Sequence, residues 1–118
     1  MSSDEELVKL ADDVYECVRA LNHGTFRTTP APLVYALTGN LKAASWGLAQ
    51  LAEQMGSGLR RSLDEYDVYD NNRNPAESVD QAQAHLQHAA HLTRELGQAF
   101  EQAQAAINQQ GYNSPKGE

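Results

Sequence analysis

The apolar residues of the central third of the chain recur in alternating steps of three and four, a spacing that keeps one side of a helix apolar. No acidic residue occurs between Glu16 and Glu53, although acids are frequent elsewhere. We therefore predict a central helix over Pro32–Met55 that packs on a neighbouring helix through this row. The row consists of Val34, Leu37, Leu41, Ala44, Leu48, Leu51 and Met55.

The other side of this predicted helix carries Trp46 among small residues. Small side chains let a second helix approach closely, so we expect the central helix to have two packing sides. The small residues are Ala36, Gly39, Ala43 and Gly47.

The first helix is predicted over Asp4–His23. Ser3 and Glu6 have the spacing of a capping box, and Gly24 is a natural residue for the end of the helix. Its apolar row includes the single cysteine, Cys17, which we expect to be a small buried side chain. The row is Leu7, Leu10, Val14, Cys17 and Leu21.

The last helix is predicted to begin at Pro75, with Asn74 as its N-cap, and to end at Gly111. Two rows at heptad spacing run along it without interruption, as in a coiled coil. They are Val79, Leu86, Thr93, Phe100 and Ile107, and Ala82, Ala89, Leu96 and Ala103. The following segment, 112–118, is predicted to be a disordered tail.

Gly56 and Gly58 disturb the central pattern, because each glycine costs a helix about 1 kcal/mol relative to alanine. We predict a kink or brief break there, with helix resuming to about Tyr69 and a turn over Asp70–Asn74. A sharp turn at the glycines is the alternative, and it would make a monomeric four-helix bundle.

These elements predict an all-α fold: an antiparallel bundle of three to four helices built on a long helical hairpin, as a single domain over 1–111. The first helix is too short to cover the whole hairpin, so the end near the turn should offer apolar residues to a partner. A second copy would complete a four-helix core in a homodimer. The predicted interface residues are Leu59, Leu63, Tyr66, Val79 and Leu86, with Trp46.

The formal net charge of -7 argues against a nucleic-acid partner, because binding to phosphates requires clustered Lys and Arg. No apolar run approaches the roughly 18 residues that span a membrane, and the acidic start of the chain does not resemble a signal peptide. We expect a cytoplasmic protein without a cofactor.

Three histidines and one pair of acids are the candidates for metal chemistry. His85, His88 and His91 follow each other at intervals of three, which allows zinc or nickel binding but also fits a solvated helix surface. Glu77 and Asp80 resemble half of the paired carboxylates of MazG-type nucleotide pyrophosphohydrolases, which implies a magnesium-dependent hydrolase. The chain lacks the other half of that motif.

Tyr66 and Asp70 have the Tyr-x-x-x-Asp form of the export signal in helical hairpins of type VII secretion. The resemblance implies an exported helical hairpin. The Trp-x-Gly turn of that family is absent, since Trp46 is followed directly by Gly47 inside the predicted central helix.

The segments Leu10–His23 and Gly39–Gly47 resemble short, uncharacterised actinobacterial helical proteins, and this resemblance implies no activity. Our leading hypothesis is a non-enzymatic helical interaction or assembly protein that acts through an apolar helix-bundle face, as a homodimer or with another helical protein. The alternatives are an exported helical hairpin and a metal-dependent hydrolase or metal-binding bundle.

Overall fold

The computed structural model describes residues 2–117 and contains three helices: α1 (Asp4–Gly24), α2 (Ala31–Glu65) and α3 (Pro75–Ala106). No strand occurs in this range, which confirms the predicted all-α class. The chain divides between Pro30 and Ala31 into two compact units, one with α1 and the other with α2 and α3. Of the predicted tail over 112–118, Glu118 lies outside the described residues.

The start of α1 is the predicted one, and its end lies one residue later. The Ser3 hydroxyl oxygen accepts a hydrogen bond from the Glu6 N–H at 3.1 Å, as an N-cap does. Gly24 is still helical, and Thr25 ends the helix by donating its N–H and its hydroxyl to the Leu21 carbonyl. No residue of α1 is buried. Cys17 is exposed, so its predicted burial is wrong.

Helix α2 continues through both glycines, so a break there and the alternative sharp turn are wrong, whereas the kink stays a prediction. Gly56 is buried against α3: a Cβ added there would lie 3.3 Å from Cγ of Gln83 and 3.8 Å from Leu86. Tertiary packing of this kind outweighs the low helix propensity of glycine. The helix ends at Glu65 rather than Tyr69, where the acids of its last turn oppose the helix dipole.

Helix α3 begins as predicted but ends five residues before Gly111. The Asn74 side chain accepts a hydrogen bond from the Ala76 N–H at 2.8 Å, and Pro75 follows it. The end comes at Ala106, shortly after Gln104 donates a hydrogen bond to the Tyr35 carbonyl near the start of α2. The Ile107 N–H then bonds the Gln104 carbonyl at 3.3 Å, three residues back, so the chain leaves the α-helix in a tighter turn.

Helices α2 and α3 pack along each other in opposite directions. Lys42 near the start of α2 pairs with Glu101 near the end of α3, at 3.9 Å. Further along α2, Glu53 pairs with Arg94 at 2.5 Å, and Arg60 donates to Gln83 at 2.9 Å. Residue numbers therefore rise along one helix as they fall along the other.

Small side chains form the centre of this contact. Ala49, Ala52 and Ala90 are nearly inaccessible, and Leu86 and Ala89 pack against them. Two buried hydroxyls, on Thr38 and Ser45, donate to carbonyls one turn earlier in α2, at 2.7 Å each. Their burial therefore leaves no hydrogen-bonding group unpaired.

The predicted row of α2 lies one residue away from the row that contacts α3. The buried positions are Thr38, Ser45, Ala49, Ala52 and Gly56 instead. On α3 the row beginning with Val79 is buried or half-buried as predicted, but the second row is again displaced by one residue. Its contact positions are Gln83, Ala90, Gly97 and Gln104. Small residues at the contact let the two backbones approach more closely than leucines would.

Candidate interaction surface

One side of the α2–α3 pair is polar and is bridged by ion pairs. Glu53 follows the buried Ala52 by one residue, and its partner Arg94 follows the half-buried Thr93 by one residue. The pairs Lys42–Glu101 and Arg60–Asp80 lie on the same side. On both helices, residues just after a contact position therefore point to this side.

Residues just before a contact position lie about 100° around each helix in the other direction. The ion pairs show that residues just after the contact positions of α2 and of α3 point to the same side of the helix pair. Residues just before the contact positions therefore point to the opposite side on both helices. The apolar face is our name for the apolar residues of this side, which are the displaced rows from Leu37 onward with Leu92 added; His85, just before Leu86, lies on the same side. The residues of the apolar face are Leu37, Leu41, Ala44, Leu48, Leu51 and Met55 on α2, and Ala82, Ala89, Leu92, Leu96 and Ala103 on α3.

Five of the large residues of the apolar face are substantially exposed. Leu48, Leu51 and Met55 are 40%, 47% and 48% exposed, and Leu92 and Leu96 are 48% and 44% exposed. Single exposed leucines are ordinary on protein surfaces, but a contiguous row on two adjacent helices is typical of an interaction site. No residue of this face is an acid, Lys or Arg. The face is therefore uncharged on a chain of net charge -7.

Trp46 lies on the polar side, next to Gly97 of α3. A Cβ added to Gly97 would lie 2.5 Å from Nε1 and 2.8 Å from Cδ1 of the indole. Lys42 lies over the same ring, 5.6 Å from its centre. The ring is 44% exposed, so it covers the α2–α3 contact on one side and faces solvent on the other.

The structure separates the other predicted interface residues. Val79 is only 5% exposed, and Leu86 packs on the buried alanines of the α2–α3 contact. Leu59 and Leu63 are more accessible, and Tyr66 is 73% exposed just after α2 ends. Whether any of them binds a partner stays a prediction. The sequence-based set omitted the central leucines of the apolar face, because their row was assigned to the contact inside the chain.

The three histidines are exposed and point in different directions along α3. The Nε2 atom of His91 lies 3.0 Å from Glu95 one turn later. Glu77 and Asp80 are exposed as well, and Asp80 pairs with Arg60. Between residues 2 and 117 the structure brings together no group of three His, Cys, Asp or Glu that could hold a metal ion.

Asp70 has a structural role in the connection between α2 and α3. Its carboxylate accepts hydrogen bonds from the backbone N–H groups of Asn72 and Arg73, at 2.9 and 3.1 Å, and from the Ser78 hydroxyl. The Ser78 bond, followed by the two backbone bonds, lowers the pKa of Asp70 below its ordinary value of 3.8. These bonds tie the connection to the first turn of α3, and the export signal expected at Tyr66 and Asp70 stays a prediction.

Comparison with protein families, curated proteins and solved structures found no match for this chain. None of the helices in the described range is both long and apolar enough to cross a membrane.

Proposed function

We propose that this chain is a helical interaction protein whose apolar face binds a second helical chain, in the first place a second copy of itself. One observation carries the proposal: an uncharged, half-exposed row of large apolar residues lies opposite a side that is bridged by ion pairs. In this assembly α2 and α3 supply half of an antiparallel four-helix bundle. The cytoplasmic location expected from the sequence stays a prediction.

The charge of the chain supports self-association through this face. Two copies with a net charge of -7 each repel one another, and a two-fold interface places each residue patch against its own copy. A face that carried acids would therefore oppose like charges directly. The apolar face carries none, so it is a surface through which two copies can approach without desolvating a charge.

The exposed area is sufficient for association. Covering the exposed half of one leucine or methionine contributes about 1 kcal/mol, and five such residues on each copy contribute about 10 kcal/mol in total. Association costs roughly 4 kcal/mol or more in lost freedom of motion. The surplus of about 6 kcal/mol corresponds to a dimer that is populated at tens of micromolar and above.

Light scattering behind size-exclusion chromatography tests the proposal, using the full chain over a tenfold range of concentration. We expect the mass to approach twice 12.9 kDa as concentration rises. Leu51→Asp places a carboxylate in the face and should weaken the dimer at least 100-fold, because an unpaired buried charge costs several kcal/mol. Gln50→Asp, at an exposed position one residue earlier, is the matched control and should leave the dimer intact.

A mass of 12.9 kDa at every concentration would overturn the self-association. Equal dimer strength in the Leu51→Asp and Gln50→Asp variants would overturn the assignment of the apolar face as its surface.

A further inference from the structure

Residues of α2 and α3 that lie at the same height along the helix pair form what we call a level of the apolar face. Trp46 and Gly97 are in contact, and they provide a reference level. Leu51 follows Trp46 by five residues and Leu92 precedes Gly97 by five, so these two leucines lie side by side. Leu48, two residues after Trp46, and Leu96, one residue before Gly97, form the neighbouring level to within one residue.

Outside these central levels, large residues of α2 lie beside small residues of α3. Gly39 lies beside Gln104, so Leu41, two residues later, is level with Ala103. At the other end Met55 is level with Ala89. Side chains of the apolar face therefore project further from α2 than from α3, except at the two central levels, where both helices carry a leucine.

We infer that the partner is a second copy whose two-fold axis runs along the helices, so that α2 of each copy lies against α3 of the other. This inference rests on the proposed function. With this axis the α2 residue of each level packs against the α3 residue of the same level in the other copy. Leucines then meet leucines at the two central levels, and outside them Leu41 and Met55 of α2 meet alanines of α3 at both contacts, as interdigitated packing requires.

The other two-fold arrangement packs less well. An axis across the helices places α2 against α2 and α3 against α3, both antiparallel. Leucines and Met55 of the two α2 helices would then hold the copies apart. The alanines of the two α3 helices would lie at the same separation without contact, and unfilled space at an interface loses packing energy.

The two arrangements differ in where the connection between α2 and α3 lies. An axis along the helices brings both connections to the same end of the dimer, whereas an axis across them places the connections at opposite ends. Asn71 is exposed within this connection, and Gln110 is exposed just beyond the other end of α3. A spin label at either position therefore distinguishes the arrangements.

We would label Asn71→Cys and, separately, Gln110→Cys, each in the full chain with Cys17→Ser, and measure distances between labels by pulsed electron paramagnetic resonance. Light scattering of the labelled proteins under the same conditions gives their mass. We expect a distance of roughly 25 Å for both variants, since adjacent helices in a bundle lie 8–10 Å apart.

A distance of about 50 Å or more in both variants would place the connections at opposite ends, because α2 and α3 are each about that long. That result would overturn this inference and leave the proposed dimer standing. A monomeric mass, with no distance between labels, would overturn both. A dimer with a short distance in one variant and a long distance in the other would place a two-fold axis across the helices near one of their ends, and this result would also overturn the inference.

Discussion

Gly97 is the position at which the contact between α2 and α3 is most easily tested, because the indole of Trp46 occupies the space that a side chain would take. Gly97→Ala adds a single methyl group to the middle of α3. That methyl carbon would lie 2.5 Å from Nε1 of Trp46, closer than two such atoms can approach. Either the helices separate or the indole leaves its place.

Two opposing terms determine the result. Alanine in place of glycine stabilises a helix interior by about 1 kcal/mol. Displacing the indole into solvent exposes roughly 100 Å² of apolar surface, which costs about 2.5 kcal/mol. We therefore expect Gly97→Ala to reduce the free energy of unfolding by about 1.5 kcal/mol, which lowers Tm by roughly 6 °C.

Gly47→Ala is the matched control. Gly47 also lies in a helix interior, but a Cβ there would have no atom within 4 Å beyond its immediate surroundings. Gly47→Ala should therefore gain only the helix propensity of alanine, about 1 kcal/mol, and raise Tm by about 4 °C. The two variants make the same chemical change, so the difference between them measures the packing of Trp46.

Thermal unfolding followed by circular dichroism, at one protein concentration, gives the stabilities. Trp46 is the single tryptophan, so its emission reports directly on this contact and should shift to longer wavelength in Gly97→Ala. In a Trp46→Ala background the space is open, and Gly97→Ala should become stabilising. Stabilisation by Gly97→Ala in both backgrounds would refute the reasoning.

Three further expectations concern charge. In Asp70→Ala the loss of stability relative to the unmodified protein should be present at neutral pH and should shrink as pH falls from 3.8 through the lowered pKa of Asp70, because protonation removes the negative charge that the bonds from Ser78, Asn72 and Arg73 stabilise; a difference that does not change in acid-unfolding curves would contradict this. Added salt should strengthen the dimer in sedimentation experiments, since it screens the repulsion between two acidic copies, and weakening would indicate attraction between charges instead. Glu53→Gln should change the free energy of unfolding by less than about 1 kcal/mol, because Glu53 and Arg94 are each about half exposed, and a larger loss in urea unfolding would show that the pair is stronger than its exposure implies.

Much of the fold could be predicted because it depends on neighbours in the sequence. The N-caps at Ser3 and Asn74 were confirmed, since a cap is made by residues two or three positions apart. The errors at Gly24 and Gly111 have the same local origin. Glycine permits a helix to end, but α1 ended at the hydrogen bonds of Thr25, and α3 ended at the bond from the Ile107 N–H to the Gln104 carbonyl.

The continuity of α2 through Gly56 was beyond local reasoning. Propensity alone favours a break between Gly56 and Gly58, and only contact with Leu86, thirty residues away along the chain, makes the small residue favourable. The close approach of Trp46 to Gly97 likewise depends on residues that are far apart in the sequence. Its sequence signal is a glycine within a heptad pattern, which shows that a neighbour is close but does not identify that neighbour.

By itself, the sequence determined that this chain forms long helices with two apolar rows each, because helical periodicity depends only on spacing. It left open which row faces the other helix, since rows one residue apart differ by a rotation of only about 100°. Tertiary packing decided in favour of the small residues, Ala49, Ala52 and Ala90, because they bring the two backbones closest together. The leucines that make the sequence pattern so regular were thereby left on the outside, where a second chain can reach them.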